Sequence, residues 1–456
     1  MKKISLSRPI IFIGIIALMN CTGLVGCGQR ETAPPPEGDI SEIATKVVEE
    51  LTEEEFEEAF GKFNEEMQQA MPYELLGHTW GQLVDQAGEF DRILSLREET
   101  IQGYDVIFVT TEFGHRIIDI RIVFDDEKWI AGLFFEPARD FSEEEWEAPE
   151  YVDADGFREE EVTFGQTPWI LSGTLTLPEG NGPHPAVILV HGSGPADRDV
   201  TIGPNKPFKD IAEGLSSRGI AVFRYDKRTY TYQQELEEYA GEFTVWDEAI
   251  DDALEGIAFL VEHEEIHSEE IFLAGHSLGG MLAPRIARET EELKGLIFLA
   301  APARSLGELM IMQTEYLIEH QDENQEVTEE ELEELYRQVE RIQDPDLPLT
   351  TPQEDILGLH AAYWLDLQRY DPLETARELS LPMIFLQGER DYQVTMEDFR
   401  LWWEVLEDES RSTFRSYPEA NHLFMRGEGL SLPEEYFEAN HVEEAVIFDL
   451  ADWIAD

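Results

Sequence analysis

Positive charge is scarce in this chain of 456 residues. Lysine and arginine together number 33 against 98 aspartates and glutamates, so the formal net charge is −65 at pH 7. Such a surface repels phosphate, which excludes nucleic acid as a partner and disfavours docking on anionic lipid. An acidic, lysine-poor composition is typical of adaptation to high salt. Carboxylates that merely solvate exposed helix faces would give the same composition, and the two interpretations are compatible.

Cysteine is also rare, and the two that occur, Cys21 and Cys27, lie near the N-terminus. The segment around them is typical of an exported protein. An N-terminal stretch with three basic residues precedes an apolar run at residues 9–18. This run is too short to span a membrane comfortably. Residues 1–26 are therefore predicted to be a signal peptide.

The sequence Leu24-Val25-Gly26-Cys27 resembles a bacterial lipobox. The resemblance implies cleavage before Cys27 and a diacylglyceryl group on that cysteine. The lipid would anchor the exported protein to a membrane, at the cell surface or in the periplasm. Cys21 is the weaker candidate because Asn20 is larger than the usual residue before the cut. With Cys21 removed and Cys27 lipidated, no disulfide is expected.

A small α+β domain is predicted for residues 40–137, after a proline-bearing tether at residues 27–39. Helical spacing covers residues 43–71 and 76–87, and four strand-like runs follow, at residues 93–101, 104–111, 116–124 and 129–135. The region resembles the small domain of unknown function that precedes some bacterial α/β-hydrolases. Its isolated histidines, His78 and His115, are interpreted as structural, and a supporting role is expected. An acidic connector covers residues 138–151.

In residues 152–456, strands alternate with helices, which predicts a doubly wound, mainly parallel sheet covered on both faces. The alternation breaks at about residues 305–379, where helices are predicted at residues 306–320, 328–342 and 356–370. Such an insertion would form a cap above the strand ends and would suit a substrate pocket. A peripheral decoration is the alternative. A final helix is predicted at residues 441–454.

The most informative stretch is Gly275-His276-Ser277-Leu278-Gly279, which follows an apolar strand and precedes a helix. This is the pattern of a nucleophile elbow, in which a strained turn lifts a serine hydroxyl out of the sheet. The turn needs residues without bulky side chains two positions before and after the serine. Ser277 is therefore the predicted nucleophile, although the bare motif also occurs by chance in glycine-rich turns.

A serine hydroxyl needs a base, and the base needs an acid to orient it. In this type of sheet the chain order is serine, acid, histidine. Asp391 directly follows a predicted strand and is the preferred acid. Its rivals are Asp366, Asp371 and Glu389.

His422, 31 residues further on, is the preferred base. His441 is its rival, but it opens the predicted terminal helix, where a cap or a neighbouring carboxylate would explain it.

An oxyanion hole needs two N–H groups that point at the developing negative charge. The N–H of Leu278 is predicted to be one donor. The second is predicted in the loop His191-Gly192-Ser193-Gly194, where glycine allows the backbone to approach a substrate. Ser193 is preferred and Gly192 is the fallback, whereas His191 is interpreted as a structural hydrogen-bonding residue.

Several motifs together resemble a group of bacterial α/β-hydrolase carboxylesterases over residues 155–456. They are HGSGPADRD at 191–199, GPNKPF at 203–208, FRYDKR at 223–228, GHSLGG at 275–280, QGERDYQV at 387–394 and NH at 421–422. The resemblance implies the triad Ser277, Asp391 and His422 and esterase activity without a cofactor. Arg224, Asp226 and Arg228 are interpreted as a structural ion-pair cluster.

The leading hypothesis is a surface-anchored serine carboxylesterase that acts on a small-molecule ester. A serine peptidase or thioesterase is the enzymatic alternative, and a binding lipoprotein on an inactive hydrolase scaffold is the non-enzymatic one. No metal is expected, because no spacing of histidine and acidic residues suggests ligands. The only membrane contact expected is the lipid anchor.

Overall fold

The structure is a computed structural model that describes residues 36, 38–64, 67–68, 71–101, 104–114, 116–125, 128–137, 146–232, 235–236, 243–320, 329–407 and 409–456. These residues form two compact units, which divide after residue 141. The predicted signal peptide, Cys27, most of the tether and His115 lie outside the described residues. No helix in the described part of the chain is long and apolar enough to cross a membrane.

The N-terminal unit packs helices against one antiparallel sheet. Its helices are α1 (Ile40–Thr52), α2 (Phe56–Phe60) and α3 (Tyr73–Ala87). Its strands, β1 (Phe90–Ile101), β2 (Tyr104–Phe113), β3 (Arg116–Phe124) and β4 (Ile130–Pro137), pair in chain order. Their apolar faces share one core with the helices, and His78 is exposed. Sequence alternation and turn positions thus predicted this meander correctly.

The single helix predicted for residues 43–71 is wrong. Asp39 caps α1 through a capping box with Glu42, and the helix ends at Thr52. The break follows at Glu54, whose φ of 59° lies in the left-handed region, and three consecutive glutamates at 53–55 are exposed there. The apolar residues keep a helical spacing across this turn, so their spacing alone does not reveal the break.

The C-terminal unit is built on an eight-stranded sheet. Its strands are β5 (Phe157–Gln166), β6 (Trp169–Pro178), β7 (His184–Val190), β8 (Ala221–Tyr225), β9 (Ile266–His276), β10 (Leu293–Leu299), β11 (Met383–Gly388) and β12 (Ser412–Tyr417). The spatial order is β12-β11-β10-β9-β7-β8-β6-β5. Strand β6 pairs antiparallel with β5 and with β8, and the six strands β7 to β12 pair in parallel. The predicted doubly wound, mainly parallel fold is confirmed.

Helices cover both faces of this sheet because its central strands are apolar on both sides. On β7, Ile188 and Val190 face one core, which includes helices α6 (Asp251–Glu262), α7 (Leu278–Arg288) and α12 (Met396–Leu406). Val187 and Leu189 face the other, which includes α4 (Pro207–Ser216) and α13 (Glu444–Ala455). A short helix, α5 (Arg228–Thr231), follows β8, and a π-helical turn (Trp246–Ile250) precedes α6.

In its described residues, the helical insertion between β10 and β11 contains four α-helices. They are α8 (Leu306–His320), α9 (Glu329–Ile342), α10 (Ala361–Gln368) and α11 (Pro372–Glu378). The helix predicted for residues 356–370 therefore begins later than expected, because Leu357 and Gly358 have φ values of 60° and 75°. The terminal helix likewise begins at Glu444, so His441 precedes it rather than opening it.

Candidate active site

Ser277 occupies a strained turn between β9 and α7. Its φ of 53° and ψ of −121° are unusual for a residue with a side chain. The two glycines of the motif allow this turn, because a Cβ on Gly275 would collide with the carbonyl oxygen of Gly279, and a Cβ on Gly279 with that of Val190. The Ser277 N–H donates to the carbonyl oxygen of Leu299, 2.9 Å away. The turn therefore depends on close contact between backbones.

His422 and Asp391 form a buried pair at the ends of β12 and β11. The distance between His422 Nδ1 and Asp391 Oδ2 is 2.7 Å. Asp391 also accepts hydrogen bonds from the N–H groups of Gln393 and Val394 and from Gln387 Nε2. A carboxylate held in this way keeps the proton of a neutral His422 on Nδ1, which leaves Nε2 as the acceptor of a proton.

The backbone around His422 is fixed by two residues whose roles the sequence did not reveal. A Cβ on Gly388 would lie 2.5 Å from the carbonyl oxygens of Ala420 and Asn421, so only glycine permits this contact between loops. The Asn421 side chain accepts from the N–H groups of Leu423 and Met425. A glycine that ends an apolar strand and an asparagine directly before the histidine are the signals that the sequence offers.

Two further histidines are buried beside the site in their neutral form. His276, next to Ser277, packs on the His422 ring at 4.6 Å between centroids and has its Nε2 3.0 Å from the His422 carbonyl oxygen. His191 Nε2 lies 3.0 Å from the carbonyl oxygen of Asp197, which agrees with its predicted structural role. Burial, with smaller contributions from His422 and Lys227 respectively, lowers the pKa of each to about 3. Neither ring competes with His422 for a proton near neutral pH.

The loop predicted to complete the oxyanion hole lies against the elbow. A Cβ on Gly192 would be 3.2 Å from Ser277 Cβ, so glycine lets the loop backbone approach the serine closely. Ser193 is exposed beside it. Leu278 is the first residue of α7, where N–H groups lack partners within the helix and carry partial positive charge.

The rival residues all have structural partners. Asp366 accepts two hydrogen bonds from Arg285, at 2.7 and 2.8 Å, and Asp371 caps α11 through the N–H of Glu374. Glu389 accepts from the Ser416 hydroxyl on the surface, and His441 Nδ1 lies 3.2 Å from Asp210.

The residues predicted to form one ion-pair cluster take part in separate ion pairs. Arg224 binds Asp199 and Glu159, Arg198 binds Asp226, and Arg228 binds Asp252. Arg198 and Arg224 also donate to Thr174 and Thr176 of β6, so they join the loop at residues 197–199 to strands β5, β6 and β8, which agrees with a structural role.

The helical cap contacts the loop that carries Asp391, since Gln313 of α8 donates to the carbonyl oxygen of Gln393 at 2.8 Å. A cavity of about 370 Å³ lies between α7 and the cap helices. Its wall includes Met281, Leu306, Trp364, Tyr370 and Leu373 but not Ser277, Asp391 or His422. In the described ranges, no group of three or more histidine, cysteine or acidic side chains is arranged to hold a metal ion.

The fold and the candidate site define an α/β-hydrolase of the serine esterase class. Residues 44–133 match a family described as a protein of unknown function (DUF3887), and residues 182–344 match one described as "Serine aminopeptidase, S33". Esterase EstD from Thermotoga maritima is 37% identical over 417 residues, which are 91% of this chain and 96% of that protein. The chain therefore belongs to the α/β-hydrolase esterase family of that relative, and both family resemblances drawn from the sequence are confirmed.

Two solved structures are each similar to part of this chain. Est1E from Butyrivibrio proteoclasticus gives a TM-score of 0.42 at 16% identity, and the esterase domain of a Rhodothermus marinus protein gives 0.40 at 19% identity. Each comparison covers 65% of this chain and 97% of the other.

The hydrogen-bond partners of Asp391 and Asp366 predict different effects of the same substitution to asparagine. We expect Asp391→Asn to lower kcat for a p-nitrophenyl ester by about 10³–10⁴-fold, because an amide no longer favours the required His422 tautomer. Asp366→Asn weakens the bond to Arg285 and should keep kcat within about threefold while lowering Tm by about 2–4 °C. Steady-state kinetics and thermal unfolding measure both effects. A loss of kcat on Asp366→Asn as large as on Asp391→Asn would contradict the assignment of the acid.

Proposed function

We propose that Ser277, His422 and Asp391 are the catalytic triad of a carboxylesterase. The observation that carries the proposal is the 2.7 Å contact between His422 and Asp391, beside a strained serine elbow in a member of an esterase family. Ser277 Oγ attacks the ester carbonyl carbon, and His422 Nε2 accepts the hydroxyl proton and passes it to the leaving alcohol. Water, deprotonated by the same nitrogen, then hydrolyses the acyl-enzyme.

The backbone N–H groups of Leu278 and Ser193 are the proposed donors to the tetrahedral oxyanion. The position of Leu278 at the start of α7 supports its role. The close approach of the Ser193 loop to Ser277 supports the role of Ser193. No cofactor takes part in the proposed reaction.

An amide or thioester substrate is the second candidate, because the matched family over residues 182–344 is described as a serine aminopeptidase. The same triad can attack an amide, a thioester or an oxygen ester, so substrate preference has to be measured. A non-catalytic binding role is disfavoured by the paired acid and base beside the elbow.

The first experiment measures hydrolysis of p-nitrophenyl esters from acetate to decanoate by the wild type and by Ser277→Ala. We expect activity that depends on chain length and falls by at least about 10³-fold in the variant, because the nucleophile is lost. An amino acid p-nitroanilide and a thioester are assayed alongside, and a fluorophosphonate probe should label the wild type alone. Folded wild type that hydrolyses the anilide but none of the esters would replace the esterase assignment with a peptidase.

We further propose that the acidic surface adapts the protein to high salt. Glutamates 53, 54, 55, 57 and 58 are all exposed within one short stretch, so like charges lie close together. Salt shortens the screening length from about 10 Å at 0.1 M to about 3 Å at 1 M and reduces this repulsion.

We expect Tm to rise by about 5–10 °C between 0.1 and 2 M KCl, because screening removes self-repulsion from the folded state. Differential scanning calorimetry measures the shift. Sucrose at 1 M is the control, because it strengthens apolar burial without screening charge. A rise in KCl no larger than that in sucrose would argue against adaptation to salt.

The N-terminal sequence supports a domain order that we also propose. Residues 1–26 are the signal peptide, 27–39 the tether, 40–137 a supporting small domain, 138–151 the connector, and 152–456 the hydrolase domain with its cap. Cys27 carries the lipid and anchors the exported protein at the cell surface or in the periplasm.

In bacterial cells that process lipoproteins, we expect Cys27→Ala to abolish labelling by radioactive palmitate and to move the protein from the detergent phase to the aqueous phase of Triton X-114. Two acyl chains anchor a protein stably, whereas the unmodified variant has no anchor. Cys21→Ala is the matched control and should behave as wild type. Labelling that survives Cys27→Ala but is lost in Cys21→Ala would move the cleavage site.

A further inference from the structure

A buried lysine outside the proposed triad lies behind the oxyanion loop. Lys227 follows β8, and its side chain is 2% exposed. Its ammonium group donates to the carbonyl oxygens of Gly192 and Gly194, at 2.6 and 2.9 Å, and to Glu248 Oε1, at 2.6 Å. An ammonium group has three N–H donors, so all of them are used. A group bound in this way cannot also act as a base, and its charge is compensated by Glu248.

The bond to Gly192 fixes the peptide that carries the proposed oxyanion donor. The carbonyl of Gly192 and the N–H of Ser193 belong to one planar trans peptide and point in opposite directions. Lys227 therefore sets the direction of the Ser193 N–H by holding the opposite end of the same group. Such a restraint matters here because Gly192 and Gly194 leave the loop backbone free to rotate, and Gly194 has a φ of 79°.

Glu248 holds the other side of this loop. Its Oε1 accepts from both Lys227 and the N–H of Gly194, the latter at 3.0 Å. The Gly194 N–H is thus directed at Glu248 and away from a substrate, which leaves the N–H groups of Ser193 and of the fallback Gly192 as candidate donors. Glu248 lies on the π-helical turn before α6, a feature that occurs frequently at functional sites.

The cap completes the network through Tyr363 of α10. Its hydroxyl donates to Glu248 Oε2 at 2.6 Å, and its ring is buried. Burial, followed by the negative charge of Glu248, raises the pKa of Tyr363, so the hydroxyl stays protonated and keeps donating. Trp364, the next residue, lines the cavity beneath the cap.

We propose that Lys227 and Glu248 are positioning residues of the oxyanion hole and that Tyr363 connects them to the cap. The inference rests on the proposed function, because it assumes that Ser277 forms a tetrahedral oxyanion. The network stabilises the transition state more than the bound ester. In the transition state the Ser193 N–H faces a full negative charge, whereas the carbonyl oxygen of the bound ester carries little negative charge.

The test compares Lys227→Met, Glu248→Gln and Tyr363→Phe with the wild type. We expect kcat for a p-nitrophenyl ester to fall by about 10–100-fold in Lys227→Met and about 3–10-fold in the other two, less than the 10²–10³-fold typical of deleting an oxyanion donor. KM should change by less than about twofold. The last two variants keep the buried lysine and decide the question if Lys227→Met does not fold.

Affinity for a transition-state analogue separates positioning from a merely structural role. A trifluoromethyl ketone forms a hemiketal with the serine, and its oxyanion needs the same N–H donors. We expect log Ki for this ketone to follow log(KM/kcat) across the variants with a slope near one, because both report on binding of the oxyanion. A neutral amide analogue that binds without forming the adduct should keep its Ki.

Asp252→Asn is the matched control. Asp252 pairs with Arg228, the neighbour of Lys227, through an equally buried ion pair that does not contact the oxyanion loop. We expect this control to alter Tm but to keep kcat and the ketone Ki within about twofold of wild type.

The outcomes separate this inference from the function on which it rests. A wild type without Ser277-dependent ester hydrolysis would refute the proposed function, and this inference with it. An active wild type whose folded Glu248→Gln and Tyr363→Phe variants keep wild-type kcat and ketone Ki would refute the positioning role alone. Equal losses in Asp252→Asn would also refute it, because general destabilisation would then explain the effect.

Discussion

Backbone segments in the active site approach each other more closely than side chains permit, and the rest of the site depends on that contact. Gly275 and Gly279 let the start of α7 pack against the ends of β9 and β7, and Gly388 lets β11 meet the loop of His422. The proposed nucleophile and the proposed acid–base pair follow different strands, so these contacts set the distances between them. The strain at Ser277 is maintained because its chain neighbours His276 and Leu278 are buried in well-packed structure, while Ser277 itself stays partly exposed.

Burial and hydrogen bonds also restrict the polar groups around the proposed triad. His191 and His276 stay neutral because desolvation lowers the pKa of each to about 3. Asp391 is held in one orientation, because backbone and side-chain groups donate hydrogen bonds to both of its oxygens. The tautomer of His422 thus follows from its surroundings, and the site needs little reorganisation when charge develops.

The sequence predicted those parts of the site that follow from local pattern and chain order. The elbow has a local motif, and Asp391 and His422 each directly follow a strand of the same sheet, so their side chains meet at one edge. Lys227, Glu248 and Tyr363 could not be predicted as a group, because they come from a loop, a π-helical turn and a cap helix. The helix errors at residues 43–71 and 356–370 have a related cause. Left-handed residues at Glu54 and Leu357 end a periodicity that apolar spacing alone continues.

The charge of the whole chain and the charges inside the site obey different rules. Salt screens exposed groups separated by a screening length or more, whereas a buried pair such as Lys227 and Glu248 is screened far less. A protein with a net charge of −65 can therefore depend on salt for its global stability without transmitting that dependence to its catalytic geometry. The proposed positioning of the oxyanion loop by Lys227 and Glu248 rests on short, buried contacts, so we expect it to depend on salt far less than the global stability does.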